Sequence, residues 1–174
     1  MSTIAHTTNL VAFMLLVARV GDVGSTYLAS PKLTLESNPV VRRLKWPYAT
    51  LTIFAAALPY YSLGLGVCLL VVSLLVCASN FSKLWMIRTL GEDEHHQLLM
   101  RVASRSHLGL SMLFIFSPAL WMAALGFLLF HFYPDPNADW GYYFALGFFV
   151  YALAIGLWGS LAFLRYRKEG LAKG

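Results

Sequence analysis

The chain has 174 residues, of which 59% are hydrophobic and 12% charged, with a mean hydropathy of +0.65. A soluble domain is about 45–50% apolar and about 25% charged, so a water-soluble fold is excluded: it could not bury this much apolar surface, and the chain needs lipid as part of its solvent. The net charge of +5 does not imply nucleic acid, because the basic residues sit between apolar runs, where they suit anionic lipid headgroups.

In chain order, the sequence predicts an all-α, polytopic membrane fold of about five transmembrane helices in a single domain, residues 1–174. The N-terminal tail has no Lys or Arg before Asn9, so it lacks the basic region of a signal peptide, and the first run is read as a retained span. The predicted spans are 9–28, 47–62, 65–87, 108–130 and 140–164. Most approach the ~20 residues that a ~30 Å hydrocarbon core requires. The second is short. Pro59 and Gly64-Leu65-Gly66 predict a tight turn between the second and third.

Lys and Arg then alternate by connection: none in the tail, four in the first loop, none in the second turn, four around the third loop, none in the fourth, four in the C-terminal tail. Positive residues stay on the cytoplasmic side. The N-terminus is therefore expected outside and the C-terminus inside, as for a prokaryotic cytoplasmic (inner) membrane. Trp46, Tyr48, Trp85, Tyr133, Trp140, Tyr142 and Tyr166 fall near predicted span ends, as in aromatic belts. Pro134, Asp135, Pro136 and Asn137 predict an outer turn.

Two inner segments are more than loops. Asn38 before Pro39 reads as an N-cap followed by proline at the first helical position. It predicts a short surface helix stopped or kinked at Pro47. Gly91 to Ser106, opening with Glu92-Asp93-Glu94, predicts an inward extension of the fourth span.

One polar cluster needs explaining. The first span carries Arg19, Asp22, Ser25 and Thr26, with Asp22 roughly 9 Å from the inner end. The third span, read as running the opposite way, carries Asn80 at a similar depth of roughly 10 Å. Lys83, Glu36 and Asn38 hang just below. An ionisable group inside a span costs about 2.5–3.5 kcal/mol on insertion scales and faces the protein interior. Asp22, Thr26, Glu36, Asn38, Asn80 and Lys83 are therefore the candidate ligand-binding residues, with Asp22 and Asn80 expected within one hydrogen bond or bridging water. Gly21 and Gly24 would let another helix approach. The alternative is that Arg19 merely neutralises Asp22 while Asn80 makes a helix–helix hydrogen bond.

Asp22-Val23-Gly24-Ser25-Thr26 followed by Glu36-Ser37-Asn38-Pro39 resembles an uncharacterised family of small prokaryotic multi-pass membrane proteins, which carry an Asp, hydroxyl residues and Glu-x-Asn-Pro after the first span. The resemblance covers roughly the first 45 residues. It implies that Asp22, Thr26, Glu36, Asn38 and Pro39 form one structural unit, and it carries no reaction.

Nothing in the sequence specifies catalysis or a cofactor. Cys68 and Cys77 are nine residues apart in one run, roughly 13 Å along a helix and on opposite sides, so they cannot pair. Glu92 and His96 share a helix face, but a solvated charged surface is the simpler reading of His95 and His96, and no His-Glu-x-x-His motif exists. The leading functional expectation is binding or moving a small polar solute or ion at the inner side. One alternative is an accessory or assembly subunit packed on a membrane-protein partner or another copy, through Gly147, Gly156, Gly159 and Ser160. The other is a lipid-headgroup enzyme using Asp22 or Glu36 with Arg42 and Arg43, which lacks a spaced acid–base pair.

Overall fold

The computed structural model describes residues 2–136 and 140–173. Asn137 of the anticipated outer turn lies outside them. The described residues are all helix and connection, without strands. The helices are α1 (Ser2–Ala29), α2 (Pro39–Leu51), α3 (Leu58–Tyr61), α4 (Leu63–Leu90), α5 (Glu92–Arg105), α6 (Leu108–Phe132) and α7 (Trp140–Lys173), with a 3₁₀ segment, Thr52–Ala57, between α2 and α3. Four helices among the described residues, α1, α4, α6 and α7, are long and apolar enough to cross a membrane, and the chain is a multi-pass membrane protein on that ground.

The second apolar run is not a regular helix. α2 breaks at Lys45, which sits in the left-handed region at φ 59. The cause is Pro47, whose ring clashes with the carbonyl four residues back and which has no N–H to donate. Past the break the chain stays helical over 46–61, and its middle is 3₁₀. A 3₁₀ turn rises about 2.0 Å per residue against 1.5 Å for an α-helix, so this stretch extends roughly 27 Å. It lies antiparallel to α1 along nearly its whole length. The Trp46 indole donates to the Pro31 carbonyl at 3.0 Å, Arg19 meets Thr52 midway, and the Tyr60 hydroxyl donates to Asn9 Oδ1 at 3.0 Å.

Consequently α4 starts again at the Asn9 end and runs parallel to α1. Gly21 faces Cys77, while Ser25 and Thr26 face Asn80. The antiparallel relation read from the sequence is therefore wrong, because the 46–61 stretch, itself antiparallel to α1, returns the chain to the Asn9 end before α4 begins. α7 is likewise parallel to α4. A methyl group at Gly147 would lie 2.8 Å from Val71 Cβ and 3.0 Å from the Cys68 carbonyl oxygen. α6 packs antiparallel on α7, with Gly126 against Ala145 and Gly159 against Ile115. α4 is central and α6 peripheral: 33% of the apolar window of α4 is buried against 11% for α6.

α5 is not a continuation of α6. Gly91 at φ 81 ends α4, and the extended Ser106 and His107 separate α5 from α6. α5 folds back because three of its apolar residues, Leu99, Met100 and Ala103, bury against Ala162, Phe163 and Tyr166 of α7. α7 is roughly 50 Å long, well beyond the ~30 Å of a hydrocarbon core, so its last turns project and give α5 something to pack on. His95 is buried here rather than solvated. The ends of α1, α4 and α7, with α2 and α5, thus gather nearly all the basic residues at one end of the bundle.

Candidate functional site

Asp22 sits on α1 one turn beyond Arg19, and the two side chains meet at 2.6 Å, each 13% exposed. Arg19 uses its other nitrogens on Thr52: Nε donates to the carbonyl oxygen at 3.4 Å and Nη2 to the hydroxyl. Thr52 opens the 3₁₀ segment, so the ion pair also ties that segment to α1. Ser25 donates to the Asp22 carbonyl at 3.0 Å. The Asn80 amide donates to Ser25 Oγ at 3.2 Å and Thr26 Oγ1 at 3.0 Å, which ties α4 to the same face. Asn80 thus meets the hydroxyls one turn from Asp22, with the hydroxyls as its hydrogen-bonding partners.

The remaining candidates separate. Asn38 caps α2, its Oδ1 accepting from the Val40 amide at 2.9 Å. Glu36 accepts from the Asn38 amide at 2.7 Å. Burial pushes the Glu36 carboxyl above its ordinary value, the Asn38 amide pulls it back, and the Asp22 charge adds to the upward push. Lys83 makes no contact with the other candidates: its Nζ donates to Ser79 Oγ at 3.2 Å, and its charge, after burial, helps hold His95 below the ordinary histidine value. Of the six candidates, Thr26 and Asn80 are joined directly, Asp22 is joined to Arg19, and Lys83 stands apart.

Glu92, read in the sequence as one of the acids that open α5 and as a helix-face neighbour of His96, has another role. It leans away from α5 and accepts from the Ser30 and Thr34 hydroxyls and from the Lys32 and Thr34 amides. Those bonds hold a turn in which Leu33 takes φ 57, an unusual conformation for a branched side chain, with the Leu33 side chain buried. Burial pushes the Glu92 carboxyl up, but the four hydrogen bonds outweigh it and hold the group below its ordinary value. No group of three or more metal-ligating side chains occurs among the described residues.

The clamped turn forms one wall of an open cleft of about 580 Å³ at the basic end. Thr34, Arg42 from α2, His96 from α5, and Arg165, Lys168 and Glu169 from α7 line it. Arg165 is fixed from several directions. Its Nη1 donates to the Glu36 carbonyl at 3.3 Å and Nη2 to the Thr34 carbonyl at 3.2 Å, and its guanidinium lies 4.5 Å from the Tyr166 ring centre. Tyr166 in turn donates to the Leu35 carbonyl at 3.3 Å. Glu169 engages His96 at 3.2 Å and stands 4.0 Å from Arg165 Nε. That Nε is buried and has no hydrogen-bond acceptor. The other such side-chain atoms among the described residues are Ser73 Oγ and His95 Nδ1, and the Asp22 cluster contributes none.

The sequence carried one local signal for this cleft, the i, i+4 spacing of Arg165 and Glu169; the rest of the lining comes from distant segments. No family model matches the chain, and neither a curated protein nor a solved structure matches it.

Proposed function

We propose that this chain is a five-span protein of a prokaryotic cytoplasmic membrane, N-terminus outside and C-terminus inside, that binds a small polar solute or ion at its cytoplasmic end. The alternation of basic segments supports the orientation. The parallel course of α1 and α4, with a stretch of roughly 27 Å between them, supports the fifth crossing. The resemblance of the 22–39 segment supports the prokaryotic setting.

The observation that carries the binding reading is the cleft beside Arg165, where charged side chains converge on open volume and a buried donor has no partner. Ligand sites are concave and hold a few convergent polar groups. The Asp22 cluster has the opposite character, since its charge is neutralised within the chain. Its role in this reading is to hold α1, the second crossing and α4 together beneath the cleft, with Glu36 and Asn38 shaping the wall.

Thiol labelling tests the topology. In a background with Cys68→Ala and Cys77→Ala, a cysteine at Ser62 should react with an impermeant reagent in intact cells, and one at Ser106 only after permeabilisation. The reverse pattern overturns the orientation. Thermal melting in mild detergent against phosphate, a polyamine, a neutral sugar and divalent cations tests binding, since a ligand that binds the native state raises the melting temperature. A response to none of them overturns the binding reading.

A second reading, an accessory subunit, is favoured by one observation: only 11% of the α6 apolar window is buried within the chain. Lipid covers such a surface equally well. A mass in mild detergent well above one chain plus its micelle would favour that reading.

A further inference from the structure

We propose that the cleft takes a phosphate-bearing anion, either the headgroup of an anionic phospholipid or a soluble phosphate ester. This rests on the reading of the basic end as the solute-binding end. Three cations, the fixed Arg165 and the exposed Arg42 and Lys168, line the cleft with one carboxylate, Glu169, which already engages His96 at 3.2 Å; counting the Glu36 carboxyl, whose charge reaches Arg165, positive charge is still in excess. The excess positive charge selects an anion over a cation or a neutral polar group. Arg165 is oriented before any ligand arrives, because the Glu36 and Thr34 carbonyls and the Tyr166 ring fix its plane. Its Nε–H is left over as a buried donor, and the nearest carboxylate oxygen, at 4.0 Å, is beyond hydrogen-bond reach. A tetrahedral oxyanion can accept from several directions at once. Arginine and lysine supply complementary donors for it, a rigid fork and a mobile point charge. Arg42 and Lys168 are exposed, so they are free to close on such a group.

The test uses Arg42→Ala with Lys168→Ala, since both side chains are exposed and neither takes part in the packing that fixes Arg165. Arg88→Ala with Arg101→Ala serves as a control of equal charge change outside the cleft lining. Unliganded melting temperatures should match for all three proteins. One arm adds inorganic phosphate to detergent-solubilised protein. The other places the protein in nanodiscs of phosphatidylcholine, alone or with 20% phosphatidic acid, and reads melting and lipid retained in native mass spectrometry. The cleft variant should lose at least about tenfold in phosphate affinity or phosphatidic-acid retention, and the control should not. Response to the lipid alone identifies a headgroup as the source, and response to inorganic phosphate identifies a soluble ester; either supports the proposal. Equal losses in cleft and control variants, or no response in either arm, overturn it. A polyamine or divalent cation that binds the wild type and is lost in the cleft variant also overturns the phosphate assignment, while leaving the binding reading intact.

Discussion

Arg19 with Asp22 and Arg165 with Glu169 are the same chemical pair placed on two helices a turn apart, and the structure uses them in opposite ways. At the first, spaced i, i+3, the ions touch at 2.6 Å and Thr52 takes the remaining guanidinium nitrogens. At the second, spaced i, i+4, the ions stand 4.0 Å apart, backbone carbonyls take the two terminal nitrogens, and Nε has no acceptor. A buried ion pair that satisfies itself joins segments. The second pair leaves one buried donor, Nε–H, without an acceptor at the edge of an open cleft. The distinction lies in the partners each arginine finds, and the charge pattern along either helix does not show it.

Breaking the closed pair should have the largest effect. Asp22→Asn leaves Arg19 uncompensated where both side chains are 13% exposed, and stability should fall by about 3–5 kcal/mol in detergent melts. Glu169→Gln at the open pair, 40% exposed, should cost less than about 1 kcal/mol. Comparable losses at both sites would erase the contrast.

The next effect concerns the wall between α4 and α7 that lets the open site form at the end of α7. Gly147→Ala should cost about 1–3 kcal/mol, because the new methyl group meets Val71 and the Cys68 carbonyl. Gly24→Ala has nothing within 4 Å and should stabilise α1 by up to about 1 kcal/mol. A loss at Gly24 would mean that a second molecule packs on that face.

Glu92→Ala removes the acceptor of four hydrogen bonds from the turn that walls the cleft, and should cost about 1–3 kcal/mol at neutral pH. Its carboxyl is held below the ordinary 4.5, so its contribution is present above that pH and lost as the pH falls through the folded value. The gap between wild type and variant should therefore begin to narrow as the pH falls below about 4.5 and narrow further as it passes the lower folded value. Glu36 has the opposite sign. Its carboxyl is raised, so ionisation opposes folding once the pH exceeds the folded value, and Glu36→Gln should slightly raise the melting temperature at pH 7 but not in acid. The smallest expected effect is at Asn80→Ala, about 0.6 kcal/mol, the average for a hydrogen bond between membrane helices.

What the sequence showed depended on how local the signal was. The Asn38 cap and Pro39 needed only neighbours, and the structure has them. Arg19 and Asp22 as a pair needed only helical spacing. The second run looked too short, because apolar length says nothing about the 3₁₀ stretching that carries it alongside α1. Asn80 was placed level with the polar face of the first helix, where it meets Ser25 and Thr26, but on a helix assigned the wrong direction. α5 read as a solvated face because its first half, Glu92 to Gln97, is polar, and the α7 surface against which Met100 and Ala103 bury lies more than fifty residues away. The cleft needs four segments to meet at Arg165, which no local pattern encodes.

The contrast between the two pairs is tested most directly by melting four proteins in one detergent: wild type, Arg19→Leu, Asp22→Asn, and the double variant. Each single change should destabilise, and the double should recover most of the Asp22→Asn loss, because neither charge is left unpaired. A saturating ligand found for the cleft should shift all four by a similar amount. Four equal melting temperatures, a double variant no better than Asp22→Asn, or a ligand shift abolished by Asp22→Asn in a protein that still folds would contradict the account and return the binding role to Asp22.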